Sequence, residues 1–355
     1  MNDSFPQLEH LDAQAEAVDK SWIEKAAARQ LTLTKPPGSL GRLEEIGNRL
    51  AAIQRTLAPT VSRKRIYVVA ADHGVTAEGV SAYPRDVTAQ MVDNFLSGGA
   101  AINVLGRLGE IDLKVVDAGV DADLTGRTDL IDVKSSRGTA NFARGPAMSA
   151  TEAKRLVAAG IALARTARAD GIQLLGVGEM GIGNTTSASA ITAALTGEDP
   201  ANHTDRGTGV DVHGLTHKIE VIRQSLAVNK PERSNPFDVL AKVGGAEIGI
   251  MVGIFVGAAI NGIAVVADGF ISTAAAALAV SLCPNTRDYL FLAHRSVERG
   301  HAALIRLIGV EPLLDLKMRL GEGTGAALAM HIVEAAAKLL SEMATFSEAN
   351  VSDKA

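Results

Sequence analysis

Two acidic residues set among glycines are the sharpest candidates for chemistry in this chain: Glu179 in GVGEMGIGNTTSASA (176–190) and Glu322 in RLGEGTG (319–325). The first stretch follows an apolar run at 172–175 and precedes a helical pattern at 187–195. That order predicts a strand, a glycine-rich loop and a helix start. Glycines carry no side chain, so the backbone there can turn sharply and approach a ligand closely. Asn184, Thr185, Thr186 and Ser187 offer capping oxygens and hydroxyls at the helix entrance. Free N–H groups and the helix dipole make such an entrance an anion site, here for a phosphate. The competing account is a plain strand–helix connection. The spacing is neither a P-loop, since no lysine follows the last glycine, nor a dinucleotide fingerprint. Glu179 would repel a phosphate, so it is expected to face a sugar hydroxyl or a ring nitrogen. Glu322 sits on a loop that lets a ligand come near, and apolar surroundings would raise its pKa towards that of a useful base. The alternative for Glu322 is a solvent-facing turn residue.

These residues need a scaffold, and the periodicity supplies one. Helical patterns at 12–29 and 39–54 flank the breaker PPG at 36–38. Buried-strand runs are expected at 65–71, 111–118, 172–175, 263–267, 289–293 and 314–318. Helices are expected between and after them at 87–105, 151–169, 187–195, 215–228, 246–259, 272–282, 300–308 and 326–343, while 121–150 shows turn chemistry without a period. The alternation argues for a doubly wound, mostly parallel α/β sheet. Ligands of such sheets bind beyond the carboxyl ends of the strands. Those ends carry Asp72 and His73, Asp117, the 176–183 glycines, Asp268, His294 and Arg295, and Glu322. Asp72 and His73 invite a metal or acid–base role, but a strand-end pair bonded to backbone is the reading favoured.

Composition removes other classes. Of 355 residues 47% are hydrophobic and 21% charged, a globular balance with a sizeable core. The net charge of −5 gives no electrostatic footprint for nucleic acid, and 3% aromatics leave few base-stacking platforms. Cys283 stands alone, which precludes an intrachain disulfide and fits a reducing compartment. The acidic N-terminal run has no apolar core, so no signal peptide and a cytoplasmic location are expected. Residues 248–267 are long enough to span a bilayer and carry GxxxG spacing at Gly249, Gly253 and Gly257. Asn261 and Gly262 split that run, so a closely packed buried helix and a buried strand are expected, with the helix also a guess for a dimer interface. His213 and His217 read as a solvated helix face rather than a metal pair, and no metal or cofactor is expected.

Seven motifs carry a resemblance: KPPGSLGRLE (35–44), ADHGVTAEGVSAYPRDVTAQMV (71–92), GEMGIGNTTSASA (178–190), RGTGVD (206–211), GGAEIGIMVG (244–253), DGFIST (268–273) and RLGEGTGAALAM (319–330). Together, and in this order, they resemble the nicotinate-nucleotide–dimethylbenzimidazole phosphoribosyltransferase family. The resemblance implies a Rossmann-like α/β catalytic domain at 61–325, a small helical domain from 1–60 plus 326–355, and a homodimer. It implies transfer of the 5-phosphoribosyl group of nicotinate mononucleotide to 5,6-dimethylbenzimidazole, with inversion at C1′. The products would be nicotinate and α-ribazole 5′-phosphate, for the nucleotide loop of cobalamin. Glu322 would be the catalytic base. Glu179 would lie at the ribose or nicotinate side, with Gly181, Gly183, Asn184 and Thr185 lining the phosphate and Gly207 and Lys218 closing on it. Ser81, Tyr83 and Gln90 would border the aromatic acceptor, walled by Met180 and Leu320. The alternatives are adenine or another base as acceptor, and a nucleotide-binding module without catalysis.

Overall fold

The structure, a computed structural model, describes residues 5–207 and 209–352; the extreme ends of the expected helical domain and Thr208 of RGTGVD lie outside the described residues. Its apolar runs build the centre of a parallel sheet. The strands are β1 (Lys64–Ala71), β2 (Asp112–Gly119), β3 (Leu130–Asp132), β4 (Leu174–Met180), β5 (Ala264–Ala267) and β6 (Leu290–Leu292). They lie in the order β3-β2-β1-β4-β5-β6, and every pairing is parallel. All eight residues of β1 are buried: residues 66–71 are an apolar run covered on both faces, while Lys64 is paired with Glu334 and Arg65 with Asp112 and Asp170. Val68 pairs with Val115 on one side and Gly178 on the other, placing the glycine strand next to the centre.

The longer helices are α1 (Lys20–Thr32), α2 (Arg42–Gln54), α3 (Val87–Leu96), α4 (Ala101–Leu108), α5 (Ala150–Ala169), α6 (Asn184–Thr196), α7 (Val212–Asn229), α8 (Pro236–Val243), α9 (Ala246–Ile260), α10 (Phe270–Leu282), α11 (Arg299–Ile308) and α12 (Thr324–Glu342). Among the described residues no helix is long and apolar enough to cross a membrane. The GxxxG face of α9 is instead a crossing within the chain. A Cβ on Gly253 would lie 2.0 Å from the carbonyl oxygen of Val157 in α5, so only glycine permits this approach. That face is buried against α5, which removes it as a dimer interface. At the chain ends Ala26 of α1, Ala51 of α2 and Leu340 of α12 share a small apolar cluster. Arg49 of α2 ties these helices to the sheet by donating to the carbonyls of Arg287, Asp288 and Leu290.

Several expectations need correction. β4 runs on to Met180, so Gly176, Gly178 and Glu179 belong to the strand and only 181–183 form the turn. The expected helix 87–105 is two helices, because Gly98 takes a φ of 78° between them. The expected strand 314–318 reduces to a single bridge from Leu314 to His294. The sixth strand is β3, inside the stretch that showed no period, and α8 fills a stretch left unassigned. The first expected helix, 12–29, is a single turn at Leu11–Gln14 followed by α1.

Candidate active site

A cavity of about 410 Å³ opens beyond the carboxyl ends of β4, β5 and β6. Glu179 and Met180 reach it from the end of β4, Gly269 and Phe270 follow β5, and His294 and Ser296 follow β6. The loop 319–322 closes one side. Tyr83, Val87, Met91, Met180, Ile182 and Leu320 form an apolar wall. Thr185, Gly207, Glu298 and Arg319 form a polar one.

Glu322 is held in an unusual backbone. Its φ is 65°, between Gly321 at 89° and Gly323 at 88°; a side-chain-bearing residue seldom adopts the left-handed region unless its surroundings enforce it. Here the enforcement is visible. Asp268 at the end of β5 accepts from the N–H of Gly323 (3.1 Å) and of Ala326 (2.9 Å), and Glu322 N–H donates to the carbonyl of Glu179 (3.2 Å). Gly178 makes the approach possible, since a Cβ there would lie 2.1 Å from the nitrogen of Gly323. The Glu322 side chain is 6% exposed, and its Oε2 has no hydrogen-bond partner among the described residues. Burial pushes its pKa up; the N–H of Ile102 pulls the other way, and the Asp268 charge adds to the rise. The carboxylate is thus a stronger base than a solvated one.

Glu179 is the more perturbed acid. Burial first, then the negative charges of Asp268 and Glu247, push its pKa up to about 8, while the donating amide of Asn184 opposes the rise. It holds a proton at neutral pH and can donate to a hydroxyl.

At the polar wall Lys218 of α7 is buried behind the loop, its Nζ 2.8 Å from Thr185 Oγ1. Burial pulls its pKa down to about 8, against the charges of Glu298 and Asp205. Arg319 donates to the carbonyl of Gly207 (3.2 Å), and the N-terminus of α6 carries no side-chain cap. A helix N-terminus without a side-chain cap, a hydroxyl and two cations make this wall suited to an anion, with Glu298 its one carboxyl group.

Of the site residues that the family resemblance assigned, Tyr83, Glu179, Met180, Gly181, Asn184, Thr185, Gly207, Leu320 and Glu322 lie on the cavity wall, as does the strand-end His294. Four do not. Gly183 is the N-cap of α6 and packs on His73 and Thr76. Lys218 stands behind Thr185. Ser81 sits beside the cavity, its Oγ accepting from the N–H of Tyr83 (3.3 Å). Gln90 lines a separate hollow with Asp72 and Arg85, because α3 turns Val87 and Met91 to the cavity and leaves Gln90 on another face. Asp72 accepts from the N–H of Asp121 (2.8 Å), and His73 Nε2 lies 2.6 Å from Glu247 Oε1, both away from the cavity. His217 bonds the carbonyl of Glu78 (2.6 Å). The sequence reading missed Phe270, Ser296, Glu298 and Arg319. Their signal was position: each follows a strand end or sits in the motif that holds Glu322.

A family model described as phosphoribosyltransferase matches residues 15–351. The chain belongs to the phosphoribosyltransferase family. Two curated relatives are named nicotinate-nucleotide–dimethylbenzimidazole phosphoribosyltransferase. The protein of Geotalea uraniireducens is 53% identical over 346 residues, covering 98% of each chain. That of Geobacter metallireducens is 54% identical over 334 residues, covering 94% of this chain and 95% of its own. A crystal structure of the enzyme of that name from Thermus thermophilus matches this phosphoribosyltransferase with a TM-score of 0.89 at 46% identity, over 95% of this chain and all of that one. A structure of CobT from the same organism matches with a TM-score of 0.91 at 48% identity, over 94% of this chain and all of that one. The parallel α/β sheet is therefore the fold of these enzymes.

Proposed function

We propose that this phosphoribosyltransferase moves the 5-phosphoribosyl group of nicotinate mononucleotide to 5,6-dimethylbenzimidazole, inverting C1′ and releasing nicotinate. The product is α-ribazole 5′-phosphate, for the nucleotide loop of cobalamin. The leaving ring of the donor is a pyridinium, so the electron pair of the broken C1′–N bond leaves a neutral ring nitrogen and no acid is needed. The acceptor attacks through one ring nitrogen, while the other holds a proton that must go. Glu322 takes that proton, an effect typically worth ~10²–10⁴ in rate. The observation that carries this reading is the buried Oε2 of Glu322, without a partner and beside the apolar wall that suits a flat aromatic acceptor. Thr185, Gly207, Lys218 and Arg319 bind the donor phosphate with the N-terminus of α6, and protonated Glu179 donates to the ribose. Lining donor and acceptor up supplies further rate through proximity. In this reading the protein is a cytoplasmic homodimer, and helices of 1–60 and 326–355 form a small domain beside the catalytic one.

The test mixes purified protein with both substrates and follows α-ribazole 5′-phosphate by chromatography and mass. Wild type is expected to form it, and Glu322→Gln to turn over at least ~10²-fold more slowly. Equal rates would remove Glu322 as the base. No product with any benzimidazole or purine would remove the transferase reading.

A further inference from the structure

One buried pair takes no part in the chemistry assigned above, yet it lies directly behind the glycine turn at 181–183. His73, two residues beyond β1, and Glu247, in the first turn of α9, are both fully buried. The imidazole Nε2 lies 2.6 Å from Glu247 Oε1, and neither Nδ1 of the ring nor Oε2 of the carboxyl has a hydrogen-bond partner among the described residues. That single bond therefore holds the pair together. Glycine backbones enclose the ring. A Cβ on Gly181 would lie 3.5 Å from its Cδ2 and Nε2, one on Gly183 3.3 Å from the Cβ of His73, and one on Gly245 2.4 Å from its Cε1. The imidazole thus fills the space between the turn and the start of α9. Thr76 completes the seat: its Oγ1 donates to the carbonyl of His73 (2.7 Å), and its methyl lies 2.8 Å from the point a Cβ on Gly183 would occupy. The other side of the turn faces the cavity through Gly181 and Ile182. Helix α6 runs on from it, with Thr185 in its first turn and 2.8 Å from Lys218 Nζ.

We propose that His73, locked by Glu247, is a positioning residue for the donor phosphate: it backs the glycine turn and so fixes how the N-terminus of α6 and Thr185 meet that phosphate. The inference rests on the phosphate wall named under the proposed function. An anion held by N–H groups and a hydroxyl binds only as well as their directions allow. Glycines cannot hold those directions themselves, because a residue without a side chain leaves its backbone free. The rigidity has to come from a neighbour. The imidazole supplies it by packing, and the bond to Glu247 stops the ring from turning away. A side chain removed from so close-packed a place leaves a void into which the turn can relax. Glu322 is placed by other contacts, from β4 and Asp268, so the base does not depend on this pair. Loosening the turn then weakens donor binding and leaves turnover at saturation little changed. Misaligning one charge-assisted hydrogen bond to a phosphate costs about tenfold or more in affinity.

The experiment measures kcat and KM for nicotinate mononucleotide, with 5,6-dimethylbenzimidazole saturating, in wild type, His73→Gln, His73→Asn and His73→Leu. The assay runs at about pH 6, where Glu179 keeps its proton, because the charge of Glu247 is one of the causes that hold that proton. A glutamine amide can stand where Nε2 stands and still donate to Glu247. An asparagine amide ends near the position of Nδ1 and falls short, and leucine donates nothing. Donor KM is expected within about threefold of wild type in His73→Gln and about tenfold or more higher in His73→Asn and His73→Leu, with kcat within about threefold throughout. If His73→Leu does not fold, His73→Asn decides. A pair that only stabilises the fold would lower the urea midpoint of the variants while the folded protein kept its donor KM, and that result overturns the positioning role. So does a fall in kcat at unchanged KM, or a rise in KM in His73→Gln as large as in His73→Leu; each leaves the transferase reading standing. Wild type that makes no α-ribazole 5′-phosphate removes that reading, and the positioning role with it.

Discussion

A single methyl group on Gly178 tests whether strand β4 sets the position of Glu322. The Cβ of alanine would lie 2.1 Å from the nitrogen of Gly323, 2.4 Å from its Cα and 2.5 Å from the carbonyl carbon of Glu322. All three neighbours are backbone, so no flexible side chain can move aside. The loop must retreat by roughly 1 Å before the contact is tolerable, and overpacking of this kind costs about 1–3 kcal/mol. The same retreat carries the carboxylate of Glu322 away from the acceptor, and a displacement near 1 Å costs on the order of 10²-fold in rate. Thr185 and Lys218 lie on other segments and stay in place. Gly178→Ala is therefore expected to lower kcat about 10²-fold and to change donor KM less, through Arg319 on the same loop alone. Urea melts with an unchanged slope should show a midpoint shift equivalent to about 1–3 kcal/mol. A variant with wild-type kcat and wild-type stability would refute the close approach as the device that places the base.

Two further outcomes follow from buried charges. Lys218→Met is expected to raise donor KM about tenfold or more with little change in kcat, since it removes a cation from the phosphate wall. In wild type, donor KM should stay level below about pH 8 and climb above it as Lys218 and Glu179 both lose their protons, and the methionine variant should keep only the shallower climb owed to Glu179 in steady-state assays. Glu179 keeps its proton to about pH 8 when folded, whereas the unfolded chain releases it near the ordinary 4.5. The folded state then binds one more proton within that window, so stability falls as pH rises through it and levels off above about 8. Glu179→Gln should flatten that fall by up to about 1.4 kcal/mol per pH unit in urea melts across the window. Asp268 and Glu322, whose pKa values are also raised, leave a residual slope of the same sign, and an unchanged slope would contradict the burial assigned to Glu179.

The parts of the site legible in the sequence are those that local chemistry writes down. Glycine spacing marks the loop before α6, and apolar runs that end in Asp, His or Glu mark the carboxyl edge of the sheet. Gln90 shows the limit. It lies one residue from Met91, and the rotation of α3 decides which of them faces the cavity, a matter of tertiary packing. β3 was illegible because three residues at a sheet edge give too short a pattern for a period. The stretch 314–318 misled for the opposite reason: alternating apolar residues suggest a strand, yet only Leu314 finds a partner. Lys218 entered through the family resemblance, and its burial behind Thr185 depends on three segments meeting.

The cover that α12 lays over β4 has a temporal side. Gly176 packs on Ala326 and Met330, and Gly178 on Gly323, pairs separated by ~150 residues of chain. At roughly 5–20 residues per second, a ribosome needs about 7–30 s to pass from one partner to the other. For that interval the nascent chain holds the glycine turn before α6 but has no Glu322 and an uncovered central strand. Such an intermediate depends on chaperones or on speed to avoid sticking to its neighbours. In the proposed reaction it also lacks the base for the acceptor, so an unfinished chain does not complete the transfer.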